Sequence, residues 1–223
     1  MLSVVADFDG TLVEKDLPEL ALERFGKRGW KRYDQLLATG KISVEQCVAK
    51  QYAMIDVRTH QQILGYIDGF CQFREGCDKL LSECRRLGVG FTIVSAGLDF
   101  CIRHAFRVSG LETPRLVCPK SSLVAGKGFR LSFPPLRNSA SRDFKEDVVM
   151  CYREKGDRVV FIGDGAGDLN AAVQADFLFT IRGSRLDTIC TQRRIHHLSI
   201  GTMVPVVRFI RAKLAQSNRP RTV

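Results

Sequence analysis

The sequence predicts an α/β protein built on a doubly wound parallel sheet. Three observations carry this. Short continuous apolar runs at residues 2–6, 89–94, 159–162 and 177–181 have the length and character of strands buried on both faces. Helical patterns lie between them, and strand–helix alternation implies parallel crossovers. At 223 residues the chain can bury one sizeable core and carry a modest insertion.

Taken in order, the opening run LSVVA is the first strand. Residues 15–72 hold no convincing strand but three or four helical segments, about 16–25, 28–38, 43–55 and 58–70, which reads as a helical insertion. Residues 75–87 place Leu80, Leu81, Cys84 and Leu87 at helical spacing and stop at Gly88, a helix C-cap. The next strand covers residues 89–94. Residues 115–133 contain two β-like runs around Gly126-Lys127-Gly128, which predicts a hairpin. Ser141 is placed to cap a helix through Tyr152, with Phe144, Val148 and Cys151 or Tyr152 on one face. A final helix is expected over residues 201–214.

The composition is globular, with 45% hydrophobic and 26% charged residues. No apolar stretch approaches the roughly 20 residues of a membrane helix, and no signal peptide is legible. A cytoplasmic protein, monomeric or homodimeric, is expected. Eight cysteines include no CxxC pair and no zinc-ligand spacing, so buried free thiols are expected. The net charge of +10 fits either solvated charge or a funnel for an anionic small molecule. Its clusters, GKRGWKR, RRIHH and the terminal NRPRTV, lack the interleaved aromatics of single-strand nucleic-acid binders.

Ligands of α/β sheets bind beyond the carboxyl ends of the strands. The first strand ends in Asp7 and Asp9, within DFDGTL. The second leads to Ser95, within VSAG. Lys145 stands at a helix start, and VVFIGDGAGDLNAA supplies Asp164 and Asp168. DFDGTL is not a calcium loop, because Leu12 occupies the required glycine position. GDGAGD is not a dinucleotide fingerprint, because Asp168 stands where the third glycine belongs. Four carboxylates at strand ends would repel one another unless a divalent cation sat among them. Asp7 and Asp164 offer the oxygen ligands magnesium prefers, while Ser95, Lys145 and glycine-rich backbone N–H groups suit an anion opposite the metal.

With DFDGTL, the serine of VSAG, Lys145 and GDGAGD in this order, the sequence resembles the haloacid dehalogenase superfamily of phosphatases over residues 3 to about 180. The helical insertion after the first motif resembles the C1-cap branch that includes phosphoserine phosphatase. The resemblance implies a Rossmann-like core of residues 1–14 and 73–223, a helical cap of residues 15–72, and a β-hairpin flap. It also implies Mg²⁺-dependent hydrolysis of a small phosphomonoester. In that scheme Asp7 is the nucleophile that becomes an aspartyl-phosphate, and Asp9 is the general acid and then base. The metal is held by Asp7, the Asp9 main-chain carbonyl and Asp164. Ser95, Ala96, Gly97, Lys145 and Gly10 bind phosphate, with Thr11 bracing the loop and Asp168 orienting Lys145 or a metal-bound water. A phosphotransferase on the same scaffold and a basic nucleic-acid-binding protein are the alternatives.

The cap residues point in two directions. Phosphoserine phosphatases usually carry a cap glutamate nine residues after the nucleophile, and Asp16 stands there. Their carboxylate-clamping cap arginine follows a segment resembling GKISVEQCVAKQ, and Gln51 occupies its place, with Lys50 and Arg58 the nearby cations. REGCDKLL, SAGLDF, Asp16 and the nineteen residues from Lys145 to Asp164 resemble instead the methionine-salvage phosphatases of a diketo-methylthiopentane phosphate. The substrate is therefore expected to be phosphoserine-like or a phosphorylated sugar or keto compound.

Overall fold

The computed structural model describes residues 1–217. Six parallel strands form the main sheet in the order β3-β2-β1-β6-β7-β8. These are β1 (Leu2–Ala6), β2 (Gly90–Val94), β3 (Arg115–Val117), β6 (Arg158–Gly163), β7 (Phe177–Ile181) and β8 (Leu198–Ile200), and β4 (Lys120–Val124) pairs with β5 (Gly128–Ser132) as a separate antiparallel hairpin. The chain steps outward from β1 to β3 on one side, then returns to β6 beside β1 and steps outward on the other. That reversal puts a topological switch point at the carboxyl ends of β1, β2 and β6.

Alternation along the strands divides the core between the two faces. Val4, Ala6, Ile93 and Ile162 pack on one side, and Val5, Val94, Val159 and Phe161 on the other, all with no exposed surface. Continuous apolar runs are what a sheet covered on both faces requires.

Between β1 and α5 (Cys77–Arg86) the chain forms four α-helices: α1 (Leu17–Phe25), α2 (Arg32–Ala38), α3 (Val44–Tyr52) and α4 (His60–Ile67). Two of them have a clear local cause. Asp16 caps α1 by accepting from the Glu19 amide, and Ser43 with Gln46 closes a capping box on α3. The two ends of this helical stretch meet in a bridge between Val13 and Phe73.

The structure departs from the sequence reading in three places. The Lys145 helix, α7 (Phe144–Glu154), is capped by Asp143, whose Oδ1 accepts from the Glu146 amide at 2.8 Å. Ser141 lies too far upstream for that bond and donates to Met150 Sδ. As read, Phe144, Val148 and Tyr152 of α7 pack on one cluster, the last two half-buried, and Val149 joins them. Arg115–Val117 belongs to the main sheet, and Pro119, which has no N–H to donate, separates it from the hairpin. The last helix, α10, runs over Val204–Ser217 rather than 201–214.

Helices α6 (Asp99–Ser109), α8 (Leu169–Gln174) and α9 (Arg185–Gln192), and the edge strand β8, complete the alternation. Two of the three β8 residues are exposed, so the strand leaves no apolar run to read. All eight cysteines are free, five of them buried, and burial pushes the Cys77 thiol up to about 12. Among the described residues no helix is long and apolar enough to cross a membrane. The basic segment NRPRTV, residues 218–223, lies outside the described residues.

Candidate active site

Parallel register brings the acidic motifs together. Ala6 is level with Ile162 on one neighbour and Ile93 on the other, so Asp7, Asp164 and Ser95 emerge at adjacent strand ends. The Asp7 amide continues the ladder by donating to the Ile162 carbonyl at 2.9 Å. Beyond these ends lies a cavity of about 150 Å³, walled by Asp7, Asp9, Ser95, Lys145 and Asp164 from the sheet side and by Asp16, Val48 and Tyr52 from the helical side.

Lys145 sits in the first turn of α7 and is 5% exposed. Its Nζ donates to Asp168 Oδ1 at 2.6 Å and lies 2.9 Å from Asp7 Oδ1. Burial opposes the ammonium charge, but Asp168 and Asp7 outweigh it and hold the lysine ionised. Asp168, fully buried, spends both oxygens, since Oδ2 accepts from the amides of Asp164 and Gly165 at 3.1 and 2.9 Å. Asp143 also accepts from Asn170 Nδ2 at 2.7 Å, which locks the Lys145 helix to the one that follows Asp168.

Asp7 and Asp9 occupy different settings. Asp7 is 7% exposed, and its Oδ1 is sealed in without a directed hydrogen bond despite the nearby ammonium. Burial, then the Asp168 and Asp164 charges, push its carboxyl well above the usual range against the pull of Lys145. Asp9 is half-buried and held from both sides: Oδ1 accepts from the Leu17 amide at 3.2 Å and Oδ2 from Ser95 Oγ at 3.3 Å. Burial, followed by the Asp16 and Asp7 charges, pushes its carboxyl well above the usual carboxylate range as well.

The loop between them is tightly built. Gly10 has φ +70°, and a Cβ there would run into the Asp164 carboxylate. Thr11 Oγ1 donates to Asp164 Oδ1 at 2.8 Å. Of the expected phosphate-binding amides, Gly10 donates to the Lys15 carbonyl at 3.3 Å and Gly97 to Ser95 Oγ at 3.0 Å. The Ala96 amide makes no hydrogen bond among the described residues and lines the cavity.

Two of the acids fit a hard divalent cation. Ligand atoms of Asp7, Asp164 and Asp168 lie within 4.8 Å of one another. Asp168 has no oxygen to spare, whereas Asp7 Oδ1 meets only the Lys145 ammonium and Asp164 Oδ2 makes no hydrogen bond among the described residues. The Asp9 main-chain carbonyl likewise accepts none among the described residues. Carboxylate and carbonyl oxygens with capacity to spare are the ligands magnesium prefers.

On the helical side, Asp16 is exposed at the rim. Gln51 is buried and points elsewhere, its Nε2 donating to Asp34 Oδ1 at 2.8 Å in a second cavity. Among the described residues, neither Lys50 nor Arg58 lines either cavity. Two residues escaped the sequence reading. Arg74 donates to the Gly10 and Thr11 carbonyls at 2.7 and 2.8 Å, pinning the catalytic loop from the start of α5. Tyr52, one residue past Gln51, forms part of the cavity wall. Arg74 opens the REGCDKLL segment and Tyr52 belongs to no motif, and it is the fold that brings both to the site.

Residues 4–172 match the haloacid dehalogenase-like hydrolase family. The chain belongs to that family. A haloacid dehalogenase-like core explains why the acidic motifs, far apart in sequence, share one end of the sheet. Over 216 residues the chain is 26% identical to a 2-hydroxy-3-keto-5-methylthiopentenyl-1-phosphate phosphatase of Brevibacillus brevis, covering 94% of this chain and 95% of that one. A protein of the same name from Exiguobacterium sibiricum is 24% identical, covering 92% and 94%. Among solved structures, a substrate-bound phosphoserine phosphatase complex superposes with a TM-score of 0.70 at 16% identity, covering 94% of this chain and 98% of that one. That likeness is one of fold.

Proposed function

We propose that this haloacid dehalogenase-like protein is a magnesium-dependent phosphomonoesterase of a small phosphorylated metabolite. The observation that carries this reading is the contrast at the end of β1. Asp7 presents a buried carboxylate oxygen 2.9 Å from the Lys145 ammonium, while Asp9, two residues on, makes no ion pair among the described residues and is held by the Leu17 amide and Ser95 Oγ. Those are the requirements of a nucleophile and of a general acid.

In this scheme the Asp7 carboxylate attacks phosphorus, and Asp9 delivers its proton to the departing alkoxide oxygen. The P–O bond to the alcohol breaks as the bond to Asp7 forms, leaving an aspartyl-phosphate. Asp9, now a carboxylate, takes a proton from the water that attacks this phosphorus, which returns Asp7. Lys145, Ser95 and the Ala96 amide hold the phosphoryl oxygens as charge develops on them. Mg²⁺ would be held by Asp7, the Asp9 main-chain carbonyl and Asp164, where it supplies neutralising charge between the nucleophile and the phosphate. Asp168 is a positioning residue that orients Lys145.

The names of the relatives favour a phosphorylated keto compound, and among the described residues no lysine or arginine lines the helical cavity, which disfavours a carboxylate-bearing substrate such as phosphoserine. Phosphate release from a panel of phosphorylated metabolites with Mg²⁺ tests the reading. Turnover that stops reversibly with EDTA is expected; no release from any ester, or undiminished release in excess EDTA, contradicts it.

A further inference from the structure

The catalytic cavity does not end at Asp16 and Tyr52. A second cavity of about 210 Å³ continues beyond them among the helices, and the two share Asp16, Pro18, Val48 and Tyr52 as a common wall. The far part of this second space is bounded by Leu22 and Trp30, with Asp34 and Gln51 at its polar edge. Among the described residues, its lining carries carboxylates but no lysine or arginine.

Tyr52 stands at the junction and is 4% exposed. Among the described residues no hydrogen bond reaches its hydroxyl. That oxygen is not among the sealed, unpartnered atoms, so it opens onto the cavities rather than into packed protein. A phenol so nearly buried ordinarily finds a partner. A ligand group passing between the two cavities would supply one.

We infer that Tyr52 is a specificity residue, and that the substrate is a phosphomonoester of an extended, uncharged alcohol. Its carbonyl or hydroxyl oxygen accepts a hydrogen bond from Tyr52 while its apolar tail rests against Leu22 and Trp30. This rests on the phosphomonoesterase reading above. Phosphate sits at Lys145, the leaving group spans the junction, and a terminal carboxylate is repelled by Asp16, Glu19 and Asp34.

Trp30 is the one tryptophan of the chain, so its fluorescence reports on the second cavity without any turnover. Titrating 2-oxohexyl phosphate into magnesium-free protein is expected to give a saturable change in emission, and methyl phosphate none. Tyr52→Phe, which removes only an unpaired hydroxyl and leaves the packing intact, should weaken that binding about five- to tenfold, the worth of one hydrogen bond. In steady state with Mg²⁺, the same variant should raise KM for 2-oxohexyl phosphate more than it lowers kcat. Its discrimination between that ester and methyl phosphate should fall by a similar factor. Phosphoserine should be the poorer substrate of the unmodified protein. Hydrolysis of these esters with no fluorescence change, or with discrimination untouched by Tyr52→Phe, overturns this inference and leaves the phosphomonoesterase reading standing. No phosphate release from any of them overturns both.

Discussion

Lys145 Nζ and Asp168 Oδ1 stand 2.6 Å apart with the aspartate fully buried, and this pair sets the charge balance of the whole site. Asp168 also gathers the Asp164 and Gly165 amides, so one carboxylate fixes both the lysine and the turn that carries a metal-binding candidate. Asp168→Asn leaves a buried ammonium with half its compensation. Loss of about 3–5 kcal/mol in urea unfolding is expected. Because Lys145 loses its aim, kcat should fall about 10²-fold or more in a phosphate-release assay.

Arg74 acts on a different loop of the site, the turn that follows Asp9. Its guanidinium holds the Gly10 and Thr11 carbonyls, and hydrogen bonds from a charged donor are worth roughly 1.5–3 kcal/mol. Arg74→Ala should therefore cost about that much in thermal or urea unfolding. It should also lower kcat, because the turn that follows Asp9 is no longer anchored.

Metal loading should depend on pH. Burial, then the Asp168 charge, pushes the Asp164 carboxyl up to about 7 in the metal-free protein. Mg²⁺ must displace the proton that Asp164 holds below that value, so affinity rises with pH through 7 and levels off above it. Calorimetry in buffers of different ionisation enthalpy should show proton release on binding at pH 6 that diminishes by pH 8. Asp164→Asn should abolish binding.

Acid stability has a separate source. Glu83 on α5 accepts from Arg211 of α10 at 3.0 and 2.9 Å and also pairs with Arg86, and these bonds lower its carboxyl from 4.5 to about 2. A folded-state value below the unfolded one means the contribution is fully present above about 4.5 and is lost as pH falls towards 2. Glu83→Gln should flatten the acid limb of a stability-versus-pH curve between those values and leave turnover unaffected.

Much of the core was legible in the sequence because its signals are local. Apolar runs marked β1, β2, β6 and β7, and motif order placed Asp7, Ser95, Lys145 and Asp164 at strand and helix ends that the fold does bring together. What stayed hidden depends on distant neighbours. Strand β8 is short and mostly exposed, so nothing in LSI distinguishes it from loop until it pairs with β7. The cap of α7 fell to Asp143 because side-chain geometry, and not residue type, chooses between two good capping residues. Gln51 and Tyr52 are adjacent in sequence, yet Gln51 is tied up with Asp34 while Tyr52 borders the catalytic cavity. Both lie in α3, where successive side chains point about 100° apart, and that rotation decides which of the two meets the site.

The account centres on Asp7 as the group that takes the phosphoryl. The most direct test is to quench the enzyme in acid during turnover, reduce it with borohydride, and locate the modified residue by peptide mass spectrometry. Reduction of an aspartyl-phosphate gives homoserine, and the account predicts it at Asp7, with none in Asp7→Asn. Homoserine at Asp9 or elsewhere, or sustained phosphate release by Asp7→Asn, would contradict it.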